Sequence, residues 1–249
     1  MRIENSFIAA DGVGEKTERR LWREGATHWD EFDPRMVGEK TGERIQSYIR
    51  DARRALDSEN TRVLADTLPS GSLWRLYENV RDDAAFFDIE TTGLDAATND
   101  VTTVSVHRGG DTTTLVQGRD LTVDALEREL ADASMLVSFN GKRFDQPFLE
   151  TNFDLDLDTP HLDLMYLCKR LGLSGGLKEI ESDLGVGREG VEDVDGREAV
   201  RLWKRYQRRG DDAALDRLVK YNRLDTENLR VILDDVSGRL HDDVFARHV

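Results

Sequence analysis

The chain has 249 residues, 38% of them hydrophobic and 34% charged, with a formal net charge of −15. That length holds one large domain or a medium and a small one, and the apolar fraction suffices for a core. A membrane-spanning class is excluded, because no stretch approaches the ~18–20 consecutive apolar residues of a span, and the single cysteine, Cys168, excludes an intramolecular disulfide framework.

The first residues, "MRIENSFIAADG", contain no basic segment followed by an apolar one, so no signal peptide is expected and a cytoplasmic protein is the default. Asp outnumbers Glu 31 to 19 and Arg outnumbers Lys 28 to 7, spread along the whole chain. This composition resembles that of proteins from salt-accumulating halophiles. In molar salt the Debye length falls to ~3 Å, so the negative charge does not rule out nucleic acid as a partner.

Residues 6–32 read as a short helical unit. Within it, "DGVGEKTERRLW" sets Gly12 and Gly14 ahead of a helix that carries Lys16 and Thr17. Two glycines let a backbone approach closely, and the amides of the following helix N-terminus can hold a phosphate. A plain turn between packing helices, with Leu21 and Trp22 as core, fits the same residues. Asp11 puts a negative charge where a phosphate would approach. From Gly38 to Val80, Ile45, Tyr48, Ile49, Ala52 and Leu56 recur at helical spacing, and Leu73, Leu76, Tyr77 and Val80 repeat the pattern. The stretch 68–74, "LPSGSLW", breaks the two helices, with Ser72 as a cap for the second. A helical domain over residues 1–82 is expected.

A second domain, residues 83–249, is expected from the change in texture at Ala84. "AAFFDIE" reads as a buried strand, and "VTTVSVHRGG" and "TTTLVQG" as a hairpin. Residues 122–133 read as an amphipathic helix capped by Thr122, and "SMLVSFN" as another buried strand. Helices follow over 144–151, 162–171, 177–184, 196–209 and 212–236. Strands followed by helices around one sheet predict an α/β domain.

Three acidic motifs fall at the ends of these elements. In "FFDIETTG", Asp88 and Glu90 stand two apart on a strand and face the same side, where they repel. In "FNGKRFD", Asp145 begins a helix. In "YNRLD", Tyr221 and Asp225 lie four apart on one helix face. Hard divalent cations take oxygen ligands, and two such ions ~3.5–4 Å apart can activate water and stabilise the leaving oxygen in phosphodiester cleavage. One further group must orient or deprotonate the attacking water, and Tyr221, one turn from Asp225, is placed for that.

Together these motifs resemble those of the DEDD-type 3′–5′ exonucleases, in the tyrosine subclass, with a ribonuclease H-like fold. The histidine form of the third motif is not met, since Lys220 stands five before Asp225. The resemblance covers residues 84–236. It implies a mixed sheet flanked by helices, and Asp88, Glu90, Asp145 and Asp225 as ligands of two divalent cations, Mg2+ or Mn2+. It also implies Tyr221 as the group that positions water, and Thr91, Thr92, Gly93 and Leu94 as the turn that meets the terminal nucleotide. Asn140, Lys142 and Arg143, inside the second motif, are candidates for substrate phosphate. The Gly12–Gly14 turn resembles a helix-hairpin-helix, a module that binds nucleic acid backbones.

The expected activity is metal-dependent hydrolysis from the 3′ end of single-stranded DNA or RNA, with no membrane partner. The competing readings are a nucleic-acid-binding protein that keeps the fold without cutting, and a scaffold whose acidic cluster holds a stabilising ion. Three features stay open. "RLWKRYQRRG", with Arg201, Lys204, Arg205, Arg208 and Arg209, fits a phosphate-tracking face and a solvated helix face equally. His161 and Asp163 read as capping or core. Arg188 has no physical role legible in the sequence.

Overall fold

The computed structural model describes residues 1–69, 71–130 and 132–249. Two compact units emerge: Met1–Arg81 together with Asp234–Val249, and Asp82–Leu233. Among the described residues no helix is long and apolar enough to cross a membrane.

The first unit contains α1 (Glu15–Arg23), α2 (Glu39–Asp57), α3 (Thr61–Thr67) and the single turn α4 (Tyr77–Val80). Leu21 and Trp22 on α1 and Leu64 on α3 are buried, as are Ile45, Ile49 and Ala52, which lie on the apolar face that the sequence spacing predicts for α2. The first expected helix does not run on to the break at residue 68 but ends at Asp57, just past its last periodic residue, Leu56. Glu59 takes a positive φ of 54°, and the Asn60 side chain accepts from the Val63 amide to cap α3. Ser72 does not cap the next helix with its side chain, and Ser70 in the expected break lies outside the described residues. Gly12 turns the chain at φ 79° and Gly14 is the N-cap of α1. A 3-10 turn, Ile3–Asn5, precedes them in place of an α-helix.

This unit hangs on one buried carboxylate. Glu18, 1% exposed, accepts hydrogen bonds from the Ser6 hydroxyl (2.8 Å) and from the Phe7 and Ile8 amides (2.8 and 3.0 Å). Its partner, Arg75, is 2% exposed and donates to both of its oxygens at 2.8 Å. The N-terminal loop has no sheet or helix to satisfy its amides, and Glu18 does so in their place.

The second unit is built on a five-stranded sheet of order β3-β2-β1-β4-β5. Its strands are β1 (Ala84–Thr91), β2 (Val101–Arg108), β3 (Asp111–Val116), β4 (Met135–Ser138) and β5 (His161–Asp163). β1, β2 and β3 pair antiparallel, whereas β4 and β5 join β1 in parallel. The helices are α5 (Val123–Leu130), α6 (Asp145–Phe153), α7 (Leu164–Arg170), α8 (Leu177–Leu184), α9 (Gly196–Arg209) and α10 (Asp212–Val244). The mixed α/β architecture is the expected one. Ala131, at the end of the expected α5, lies outside the described residues. Leu162 and Asp163, expected to open a helix, belong instead to the short strand β5. Asp163 then accepts from the Met165 amide and caps α7.

Two features of β1 prepare a site. Ala85, Phe87 and Ile89 enter one hydrophobic cluster with Val104, Leu126, Leu136 and Phe148, so Asp88 and Glu90 must face the other way. In addition β1 outruns β4: their pairing covers only Ala84–Phe86. The Ile89 amide, without a strand partner on that side, donates to Asp145 Oδ1 at 3.1 Å.

Glu18→Ala leaves Arg75 charged and buried, and orphans the loop amides, so it is expected to cost about 3–5 kcal/mol. Pairing it with Arg75→Met should restore part of the loss. Urea unfolding followed by fluorescence checks this, since three of the four tryptophans, Trp22, Trp29 and Trp74, lie in this unit. An unchanged midpoint for Glu18→Ala would sink it.

Candidate metal and catalytic site

Asp88, Glu90 and Asp225 each offer a carboxylate oxygen within 4.8 Å of the others. The first two come from β1 and the third from α10, which crosses the sheet at that point. Asn222, one turn before Asp225, ties the two elements together. Its Nδ2 donates to Asp88 Oδ2 at 2.7 Å and to the Asp88 carbonyl at 3.1 Å. Glu90 and Asp225 are buried, and Asp88 is half-buried. Asp145, also buried, is the first residue of α6 and lies outside that trio. Its charge nevertheless acts on both Asp88 and Glu90.

Glycine at position 141 makes this approach possible. A Cβ there would meet Ser138 Oγ at 2.2 Å and Asp145 Oδ2 at 3.2 Å, so the turn from β4 to α6 has no room for a side chain. Asn140, at φ 61°, donates its amide to Asp163 Oδ1 at 2.8 Å. The Ser138 hydroxyl meets His161 Nε2 at 2.7 Å. Burial holds His161 neutral, down to about 3. His161 and Asp163 thus brace the turn and are not aimed at the trio.

Burial and mutual repulsion dominate the electrostatics. Burial, followed by the charges of Asp225, Asp145 and Glu90, pushes Asp88 well above the usual carboxylate range. Burial with Asp225 and Asp145 does the same to Glu90. Burial pushes Asp145 up to about 7 against the pull of the Ile89 amide, and Asp225 up to about 7 against the pull of Arg188. Burial and the three neighbouring carboxylates raise Tyr221 as well, so its phenol stays protonated and is no base.

Arg188 is the built-in counter-charge. It is 9% exposed, ion-pairs with Asp225 at 2.5 Å and binds the buried Glu181. Asn228 Nδ2 donates to Glu181 at 2.8 Å and to the Gly187 carbonyl at 3.2 Å. Arg188 Cζ sits 5.4 Å from the Tyr221 ring centroid, a cation–π distance. One arginine therefore fixes both Tyr221 and Asp225. Neither Arg188 nor Asn222 was assigned a role from sequence. Asn222 stands beside Tyr221 in "YNRLD", but it carries no charge to attract notice.

The donor set fits a hard divalent cation. It is all oxygen, it is crowded beyond what one guanidinium neutralises, and a cation would relieve the repulsion that raises Asp88 and Glu90.

The trio opens into a cleft of about 760 Å³, within the ~300–1,000 Å³ of ligand sites. Asp88, Glu90, Asp145, Tyr221 and Asp225 all line it. Of the expected nucleotide seat, Thr91, Gly93, Leu94 and Asn140 line it, and Leu94 is 87% exposed. Thr92 does not line the cleft; its hydroxyl accepts from the Asp100 amide at 3.0 Å and helps close the turn. Lys142 and Arg143 are exposed and do not line it either. Gly12, Gly14, Lys16 and Thr17 belong to the first unit. The opposite wall comes from α9, through Arg197, Val200, Arg201 and Lys204.

A model of the RNase_H superfamily matches residues 85–237. No curated protein matches the chain. Among solved structures, the chain is similar to a family B DNA polymerase from the archaeon Pyrobaculum calidifontis, at 16% identity and TM-score 0.46. That match takes 62% of this chain and only 27% of the polymerase. It is similar to a structure described as the apo form of the nuclease, at 22% identity and TM-score 0.49, over 72% of this chain and 82% of that one. Brucella melitensis NrnC is similar at 21% identity and TM-score 0.37, over 68% and 88%.

A carboxyl that binds its proton more tightly folded than unfolded adds stability below its unfolded value and loses it as pH rises through the folded one. For Asp145 and Asp225 that window runs from about 4 to about 7. The metal-free protein should therefore lose stability across it, and Asp145→Asn should flatten the loss. Added Mg2+ should raise the melting temperature more at pH 8 than at pH 5. Melting curves measure all three, and parallel pH profiles for wild type and Asp145→Asn would contradict this electrostatic account.

Proposed function

This chain belongs to the RNase H superfamily, and from that premise we propose that it is a metal-dependent 3′–5′ exonuclease acting on single-stranded nucleic acid. The observation that carries the proposal is the convergence of Asp88, Glu90 and Asp225 within 4.8 Å, in a cleft that Asp145 and Tyr221 also line. A surface acidic patch has no reason to be braced by Asn222 and Arg188 or to open beside an exposed leucine.

In this reading Asp88, Glu90, Asp145 and Asp225 hold two divalent cations, Mg2+ or Mn2+. Bound there, such cations supply acidification of a water and neutralisation of charge on the leaving oxygen. The chain's own groups do the rest. Tyr221, held neutral, orients the attacking water by hydrogen bonding and does not take its proton. Arg188 holds the Asp225 carboxylate and the Tyr221 ring in one arrangement. The turn through Thr91, Gly93 and Leu94 receives the terminal nucleotide, with Leu94 offering an apolar surface to its base. Water adds to phosphorus, the bond from phosphorus to the 3′ oxygen breaks, and the products are a nucleoside 5′-monophosphate and a strand one residue shorter.

The test uses 5′-labelled single strands of DNA and RNA, with and without Mg2+ or Mn2+. A ladder shortening from the 3′ end, absent in chelator, is expected. Asp88→Ala with Asp225→Ala should abolish it, whereas Tyr221→Phe should lower kcat by about 10² through lost positioning of the water, with the fold retained. Cleavage that survives the double substitution would place the chemistry elsewhere. Strand binding without cleavage would favour a non-cutting nucleic-acid-binding protein.

A further inference from the structure

We propose that the cleft-facing side of α9 is a phosphate-binding wall, on which Arg197, Arg201 and Lys204 hold the phosphates next along the strand from the one being cut. The inference rests on the nuclease reading for its substrate and adds residues that the acidic site does not supply. α9 carries six cationic side chains and one acidic one, Glu198, in a chain whose net charge is −15.

The six cations are not equivalent. Ala199, Leu202 and Trp203 bury one face of the helix in a cluster with Leu215, Leu218 and Tyr221. Positions 197, 201 and 204 recur at spacings of four and three and so share a face. That face, with Val200 between its charges, lines the same cleft as the carboxylates. Arg205 points to other business, donating to Asp211 at 2.6 Å beyond the helix C-terminus. Arg208 and Arg209 do not line the cleft.

Cleft lining, and not pairing, separates the wall from the rest of the helix: Arg205 is held by Asp211, while Arg208 and Arg209 make no side-chain ion pair among the described residues and do not line the cleft. Arg197 and Lys204 make no side-chain hydrogen bond or ion pair among the described residues, and Arg201 has only the i,i+3 contact to Glu198 at 3.1 Å, 69% exposed. Such an exposed contact contributes little and yields readily to a phosphate. The cleft therefore has an acidic end, which repels a polyanion until cations occupy it, and a basic wall, which attracts one. A strand whose terminal phosphodiester reaches the acidic end places its following phosphates within the same cleft, and among the described residues the cations that line it, Arg197, Arg201 and Lys204, all come from α9. Lys142 and Arg143, the phosphate candidates taken from sequence, lie outside that cleft.

The experiment compares Arg197→Ala/Lys204→Ala with Arg208→Ala/Arg209→Ala on the same helix. Fluorescence anisotropy of a labelled single-stranded oligonucleotide, with Ca2+ present, gives affinity against salt concentration. Loss of two phosphate contacts should make the slope of log K against log salt shallower by about 1.4 and weaken binding about tenfold at low salt. The Arg208/Arg209 pair should leave both near wild type. Hydrolysis of thymidine 5′-p-nitrophenyl phosphate, which has no neighbouring phosphate, should be unchanged in Arg208→Ala/Arg209→Ala and should fall far less than strand cleavage in Arg197→Ala/Lys204→Ala. Unchanged affinity and slope in Arg197→Ala/Lys204→Ala, equal losses in the two double variants, or no strand binding by wild type would each overturn the assignment of α9. Failure of wild type to hydrolyse the small ester would instead count against the nuclease reading, while the binding arms still decide α9.

Discussion

Four carboxylates crowd the end of one strand, and much of the second unit is arranged around their repulsion. Asp88 and Glu90 are forced to one side because Phe87 and Ile89 take the other into the core. Asp225 arrives on α10 and Asp145 at the start of α6. Buried charges of one sign are costly unless paired or neutralised. The structure answers with a few specific groups: Asn222 on Asp88, the Ile89 amide on Asp145, and Arg188 on Asp225. One full positive charge among four acids leaves the site still acidic, which is the condition under which a divalent cation binds well.

The backbone makes room for this arrangement by leaving parts of the sheet unfinished. β4 is only four residues long and stops at Ser138, so the last half of β1 has no neighbour on that side. A longer β4 would consume the Ile89 amide that holds Asp145. On the other side, the pairing of β1 with β2 shifts register after Glu90, with Thr102 as the extra residue. A bulge of this kind re-aims the strand end, and it falls where the chain leaves the carboxylates for the turn at Thr92–Leu94. Gly141 serves the same end at closer range, letting the β4–α6 turn lie against Ser138 and Asp145.

Among the described residues there are two buried arginine–glutamate pairs, one in each unit, and they differ in what they hold. Arg75 and Glu18 organise a loop that lacks regular backbone pairing, so their work is local to the N-terminal segment. Arg188 and Glu181 organise the acidic cluster. Glu181, itself held by Asn228, fixes the guanidinium, and the guanidinium in turn fixes Asp225 and Tyr221. A lysine at either position would carry the charge without the planar fork that reaches several acceptors at once.

Much of the second unit was legible in the sequence, because its signals are local. A buried run ending in Asp88-x-Glu90 determines, by strand alternation alone, that two carboxylates share a face. Tyr221 and Asp225 share a helix face for the same kind of reason, and the boundaries of α8 and α9 follow from turn and cap residues. What sequence could not decide was which charges face one another. Lys142 and Arg143 stand beside Asp145 in the chain but do not line the cleft, whereas Arg197 and Lys204, more than fifty residues on, line it. The sequence offered no reason to prefer one side of "RLWKRYQRRG"; the tertiary packing of Leu202 and Trp203 turns Arg201 and Lys204 toward the acids and leaves Arg205 at Asp211. Arg188 and Asn222 were invisible for the same reason, since a lone arginine or asparagine takes its meaning from the partner it meets across the fold. Composition and periodicity thus determined the elements and the direction of Asp88 and Glu90, while the counter-charge, the cleft and its basic wall exist only once separate elements pack, because electrostatic pairing depends on distance in space and not along the chain.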